Sequence, residues 1–124
     1  MSQRILVAED DQHVNELLVY CLENQGFEVD TVQDGEACWE AITAGEGGAR
    51  PDALLLDLML PGLDGFSLLQ RLEEHGENDL SVMVVSGRGL EGDVVRGFEL
   101  GADDYVTKPF SPSEIVVRLR RMLR

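Results

Sequence analysis

Short, continuously apolar runs alternate with longer amphipathic stretches five times along this chain, and that rhythm constrains the fold more than any other feature. Arg4 to Ala8 (RILVA), Ala53 to Leu56 (ALLL) and Ser81 to Val85 (SVMVV) have the length and apolarity of strands covered on both faces, as in parallel sheets. Phe27 to Val32 and Tyr105–Val106 supply two more. Between them lie helical patterns. Asp11 offers an N-cap to a helix with Val14, Leu17, Leu18, Cys21 and Leu22 on one face, ending near Gly26. A second helix runs from Asp34 to Ala44 with Ala37, Ala41 and Ile42 inward, and Gly45 to Pro51 reads as a loop. Pro61-Gly62 marks a turn before a helix from about Asp64 to Glu74. Another runs from about Leu90 to Leu100, closed by Gly101, and Ser111-Pro112-Ser113-Glu114 opens the last as a capping box with proline first. Strand–helix order repeated in this way predicts a single doubly wound α/β domain: right-handed crossovers, a five-stranded parallel sheet and helices on both faces.

A length of 124 residues suits one domain, and 44% hydrophobic residues suffice for its core. The formal net charge of -14 argues against direct nucleic-acid binding and against an anionic membrane surface, and favours a metal cation or a basic partner. No apolar run reaches membrane-spanning length and the start resembles no secretory signal, so a cytoplasmic location is expected. Cys21 and Cys38 form no CxxC pair, which disfavours zinc and redox chemistry.

In a parallel sheet all strands end on one edge, and ligands bind there. Glu9-Asp10-Asp11 follows the first strand, Asp57 the third and Ser86 the fourth, while Lys108 follows the fifth after Thr107. Carboxylates, a hydroxyl and the sole lysine among ten basic residues thus converge on one crevice. Strand ends are often polar because they meet solvent, which explains any one of these residues but not the set. Crowded carboxylates are relieved by a cation, and an all-oxygen site suits Mg²⁺ better than zinc. A carboxylate can also attack phosphorus to give an aspartyl phosphate.

Three segments make the likeness specific: Ile5 to Asp11 (ILVAEDD), Leu55 to Gly65 (LLDLMLPGLDG) and Gly101 to Phe110 (GADDYVTKPF). In order and spacing the chain resembles the response-regulator receiver domain over essentially its whole length. The resemblance implies a sheet order of 2-1-3-4-5 and phosphorylation of Asp57 by a histidine kinase or phosphotransfer protein. It also implies that Mg²⁺ is bound by Asp10, Asp57 and the Met59 main-chain carbonyl, with Glu9 acting through water. Lys108 would pair with the phosphoryl oxygens, Ser86 would hydrogen-bond them, and Tyr105 would be the aromatic switch. Such a domain is regulatory, not an enzyme, although it assists its own phosphorylation and dephosphorylation. Lys108-Pro109 falls where the family has a cis peptide. Three departures stand out: Glu9 in place of the common aspartate, Gly87 where alanine is usual, and Met59 with Arg88 at positions that tune dephosphorylation.

Gly101 to Ser113 and the arginines at 118, 120, 121 and 124 most resemble receivers attached to winged-helix DNA-binding domains, although the arginines read equally well as a solvated helix face. Residues 1–124 are expected to be the receiver, with any effector domain lying beyond. Such relatives pair through the fourth helix, fifth strand and fifth helix. Asp104, Arg118 and Glu114 match that pattern, but Val94 stands where a basic partner is expected, so at most a weak homodimer follows on activation. The alternatives are a stand-alone receiver and a docking module that works without phosphorylation. Gly87-Arg88-Gly89-Leu90-Glu91-Gly92 fits GxGxxG, but it follows the fourth strand, not the first, which disfavours a dinucleotide site. A haloacid-dehalogenase-like phosphatase lacks its Asp-x-Asp pair here, and a flavodoxin its hydroxyl-rich loop.

Overall fold

A computed structural model describes residues 2–44, 50–76 and 79–124. Strands and helices alternate in the order β1 (Arg4–Ala8), α1 (Gln12–Asn24), β2 (Glu28–Val32), α2 (Gly35–Thr43), β3 (Ala53–Leu56), α3 (Gly65–Glu74), β4 (Ser81–Ser86), α4 (Glu91–Glu99), β5 (Asp104–Thr107) and α5 (Pro112–Met122). All pairings are parallel and the sheet order is β2-β1-β3-β4-β5, as the resemblance implied. The glycine-rich loop expected from Gly45 falls largely on 45–49, outside the described residues.

The apolar runs are continuous because successive side chains serve opposite cores. Ile5, Val7, Ala53, Leu55, Met83 and Val85 face α1 and α5, where Leu18, Leu22, Ile115 and Leu119 meet them. Leu6, Ala8, Leu54, Leu56, Val82 and Val84 face the other layer, with Ile42 of α2, Phe66, Leu68, Leu69 and Leu72 of α3, and Tyr105. Each fully buried leucine contributes about 1.5–3 kcal/mol, so β3 anchors both layers at once.

The helix starts follow the expected chemistry at three of five positions. Asp11, Asp34 and Asp64 accept from the free amides of His13, Ala37 and Ser67, respectively. The capping box predicted at Ser111 does not form; its hydroxyl makes no cap, and Glu114 is taken instead by Arg118 at 3.0 Å. Two helical faces also differ from expectation. On α1 the inward line runs through Asn15, Leu18 and Leu22, which leaves Leu17, roughly 100° off that line, 44% exposed. On α2 the deepest residues are Cys38 and Ile42, with Ala37 and Ala41 half-buried. Burial and the nearby Asp34 charge push the Cys38 thiol up to about 12, so it is a packing residue and not a nucleophile. Trp39 lies at the edge of α2, edge-on to the ring of the exposed His75 at 4.7 Å. Among the described residues no helix is long and apolar enough to cross a membrane.

Candidate functional site

Register brings the acidic residues together. Ala8 pairs with Leu56 and Val32, so the next residues, Glu9 and Asp57, lie side by side where the ladder ends. The Asp57 amide donates to Ala8 and the Glu9 amide to Val32. Although both side chains are carboxylates, they are almost fully buried, Glu9 at 3% and Asp57 at 5% exposure. Asp10 is exposed at the rim, and carboxylate oxygens of Glu9, Asp10 and Asp57 all lie within 4.8 Å of one another.

Buried charge must be compensated. Lys108, delivered by the loop after β5, places its Nζ 2.5 Å from Glu9 Oε1 and 2.9 Å from Asp57 Oδ2. The remaining oxygens are met by main-chain amides: Met59 donates to Asp57 Oδ1 at 2.9 Å and Asp11 to Glu9 Oε2 at 3.0 Å. Burial nevertheless holds the Glu9 carboxyl above its ordinary range, against the hydrogen bonds from Lys108 and Asp11. Burial opposes the Lys108 ammonium, but its hydrogen bonds and attraction to Glu9 and Asp57 prevail and keep it above the ordinary lysine value.

Ser86, the last residue of β4, is fully buried, and its hydroxyl accepts from the Arg88 amide at 3.2 Å. Its main-chain carbonyl receives the Lys108 amide at 2.9 Å, which ties the lysine loop to the serine strand. Tyr105 lies inward, 9% exposed, with its hydroxyl donating to the Arg88 carbonyl. Gly97 of α4 packs so closely on this ring that an added Cβ would sit 3.1 Å from it. The Lys108–Pro109 peptide is cis.

The structure thus brings Glu9, Asp10, Asp57 and Lys108 into one cluster, with Met59 donating through its backbone. Ser86 and Tyr105 lie one step away, joined to it through Arg88 and the Lys108 amide. The contacts of Arg88, noted in the sequence only as a departure from the family pattern, and the part played by Asn15 were not foreseen. Arg88 pairs with Asp93 at 3.1 Å and stacks on the Phe66 ring at 5.2 Å, while Arg96 stacks on the same ring at 4.2 Å. Asn15 donates to the Glu9 carbonyl at 2.6 Å. A signal for Asn15 was present: a polar residue three and seven positions before Leu18 and Leu22, on the apolar stripe.

Among the described residues the donor set is three carboxylates with no histidine or thiolate in the cluster, and one ammonium leaves an excess of negative charge. Such a set fits a hard divalent cation held by oxygen.

Comparison with known proteins agrees with this architecture. A family model described as the response regulator receiver domain matches residues 5–120. The phosphate regulon transcriptional regulatory protein PhoB of Escherichia coli (strain K12) is 40% identical over 125 residues, covering 100% of this chain and 53% of that protein. Transcriptional regulatory protein CseB of Streptomyces avermitilis is 45% identical over 120 residues, covering 97% and 48%. The beryllofluoride-activated receiver domain of DrrB superposes with a TM-score of 0.85 at 31% identity, covering 99% of this chain and 98% of that one. DrrB from Thermotoga maritima, an OmpR/PhoB homologue, gives 0.84 at 31% identity, covering 99% of this chain and 53% of that one. The chain spans about half the length of the curated relatives it matches. With the sheet order, the acidic edge and a family match over nearly every residue in agreement, the chain belongs to the response-regulator receiver domain family.

Proposed function

We propose that this domain is the phosphoacceptor of a two-component system, taking a phosphoryl group on Asp57 from a histidine kinase or phosphotransfer protein in the cytoplasm. The observation that carries this reading is the buried Asp57 carboxylate held between the Lys108 ammonium and the Met59 amide, beside Glu9 and Asp10. An Asp57 oxygen attacks phosphorus as the bond to the donor's imidazole nitrogen breaks, and the leaving imidazole takes up a proton. Lys108 compensates charge on the transferred group, and the Ser86 hydroxyl, an acceptor from the Arg88 amide, turns its own proton to a phosphoryl oxygen. Asp10, Asp57 and the Met59 carbonyl would hold Mg²⁺, with Glu9 acting through water, and the cation would supply neutralising charge for the phosphoryl oxygens.

The consequence of transfer is read at a distance from the site. Reorientation of Ser86 toward the phosphoryl group shifts the Arg88 amide bonded to it, in the loop that also anchors Tyr105 and Asp93, so the surface of α4, β5 and α5 responds. Relatives are named as transcription regulators, and control of transcription by an effector domain beyond residues 1–124 fits that surface as output. Activated chains are expected to pair there weakly, through Asp104, Glu114 and Arg118.

Intact-mass measurement after acetyl phosphate treatment tests the reading. The mass rises by one phosphoryl group with Mg²⁺ and not with EDTA, and Asp57→Asn abolishes the gain. Stable labelling of the Asp57→Asn chain, or labelling indifferent to EDTA, overturns it.

A further inference from the structure

Asn15 is the polar residue on the inward stripe of α1, between a fully packed helix face and the end of β1. It is 4% exposed. The sheet's own hydrogen bonds use the Ala8 carbonyl and the Glu9 amide, but the Glu9 carbonyl has left the ladder. Asn15 Nδ2 takes it at 2.6 Å. A carbonyl can only be met by the amino end of the amide, which fixes the side-chain orientation. The other end, Oδ1, is then buried without a partner among the described residues.

A buried amide with one end unsatisfied is a poor source of stability. A leucine at this position would extend the stripe of Leu18 and Leu22 with no orphaned atom. What the amide supplies is geometry. The peptide unit joining the Glu9 carbonyl to the Asp10 nitrogen is planar, so holding one end fixes the other. On its far side the loop is already held, because the Asp11 amide donates to Glu9 Oε2 and the Asp11 carboxylate caps α1. Asp10 lies between these two anchors, and its carboxylate leaves the chain from a backbone that they define.

We propose that Asn15 is a positioning residue for the cation site, setting the direction in which Asp10 meets Asp57. This inference rests on the Mg²⁺ reading above. It predicts that the amide acts on metal affinity out of proportion to its effect on stability, as hydrogen-bond partners behind metal ligands commonly do.

Calorimetric titration of Mg²⁺ into the unphosphorylated domain tests it, with circular dichroism to confirm the fold of each variant. Asn15→Leu keeps side-chain size and, as a better helix former, does not weaken α1 while removing the donor; Asn15→Ala serves if the leucine does not fold. Either should raise the Mg²⁺ Kd by about tenfold or more. Ile115→Val, in the buried core between α5 and the sheet, serves as a control: it should lower the melting temperature and leave the Kd unchanged. Folded Asn15 variants with wild-type affinity overturn the proposal alone. A matching loss in Ile115→Val also overturns it, since stability would then explain the effect. A wild-type domain that takes up no Mg²⁺ overturns this proposal together with the metal reading beneath it.

Discussion

The hydroxyl of Tyr105 donates to the main-chain carbonyl of Arg88, so β5 is tied to the loop between β4 and α4 by a single side chain. The same arginine donates its amide to Ser86 and its guanidinium to Asp93 of α4, and lies over Phe66 of α3. Four elements therefore meet at one loop residue that is not itself in the acidic cluster. Ser86 and α4 are thus connected through this residue.

Tyr105→Phe isolates the first of these ties. The ring still packs against Gly97, but the Arg88 carbonyl loses its protein donor. Because that loop borders solvent, the loss should be about 0.5–1.5 kcal/mol in urea unfolding. Amide hydrogen exchange should accelerate in 87–90 and the first turn of α4, with the core strands unaffected. Unchanged exchange in that segment would remove the hydroxyl from the coupling.

Lys108→Ala and Ser86→Ala should differ in kind. Removing the ammonium leaves Glu9 and Asp57 buried without their counter-charge, a loss of about 3 kcal/mol in metal-free buffer. Millimolar Mg²⁺ should recover part of that loss, because a cation supplies the missing charge. Ser86→Ala removes one hydrogen bond to a backbone amide and should change stability by about 1 kcal/mol, with no metal dependence. Under the proposed function, Lys108→Ala retains some phosphorylation but uncouples it from α4, whereas Ser86→Ala weakens the response. Hydrogen exchange with and without beryllofluoride reads this; a full α4 response in Lys108→Ala contradicts it.

Glu9 makes the metal-free fold pH-dependent. Burial raises its carboxyl above the ordinary 4.5, so the folded chain takes up this proton at a higher pH than the unfolded chain does. Its contribution to stability is therefore fully present below 4.5 and is lost as pH rises through the folded value. Ionised Glu9 thus works against the metal-free fold at neutral pH. Glu9→Gln removes that dependence. The melting temperature of wild type relative to Glu9→Gln should rise as pH is lowered from 7 towards 4.5. A constant difference across that range would mean that Lys108 fully offsets the burial.

Legibility of this chain in its sequence followed burial symmetry. Strands β1, β3 and β4 were plain because they are covered on both faces, and register then carried Glu9, Asp57 and Ser86 to one edge without further information. Lys108 stood out as the sole lysine. The helical faces were harder, since an apolar count cannot say that Asn15 displaces Leu17 from the inward line. The Asn15–Glu9 contact, the Arg88 hub and the absent Ser111 cap depend on which of several nearby partners a side chain takes. Pattern alone leaves such choices open: Glu114 fits a capping box equally well before its competition with Arg118 is known.

That competition bears on assembly. Arg118 is engaged within its own chain, with Nη1 at 2.9 Å and 3.1 Å from the two Asp104 oxygens and Nε at 3.0 Å from Glu114. Asp103 is also occupied, accepting from the Val82 amide at 2.8 Å. A dimer through α4, β5 and α5 must share or replace these pairs, and exposed ion pairs contribute only about 0–1 kcal/mol each. Val94 of α4 adds no charge to that face, while Val95 and Phe98 expose apolar area on it, at 47% and 45%. The unphosphorylated domain should therefore be monomeric, with at most weak self-association in beryllofluoride. Asp104→Arg or Arg118→Asp should abolish that association, and the double exchange should restore part of it, because the 104/118 pair is again complementary while Glu114 meets a like charge at 118. Light scattering across a concentration series measures each case. A tight dimer indifferent to both reversals would place the self-association on a different surface.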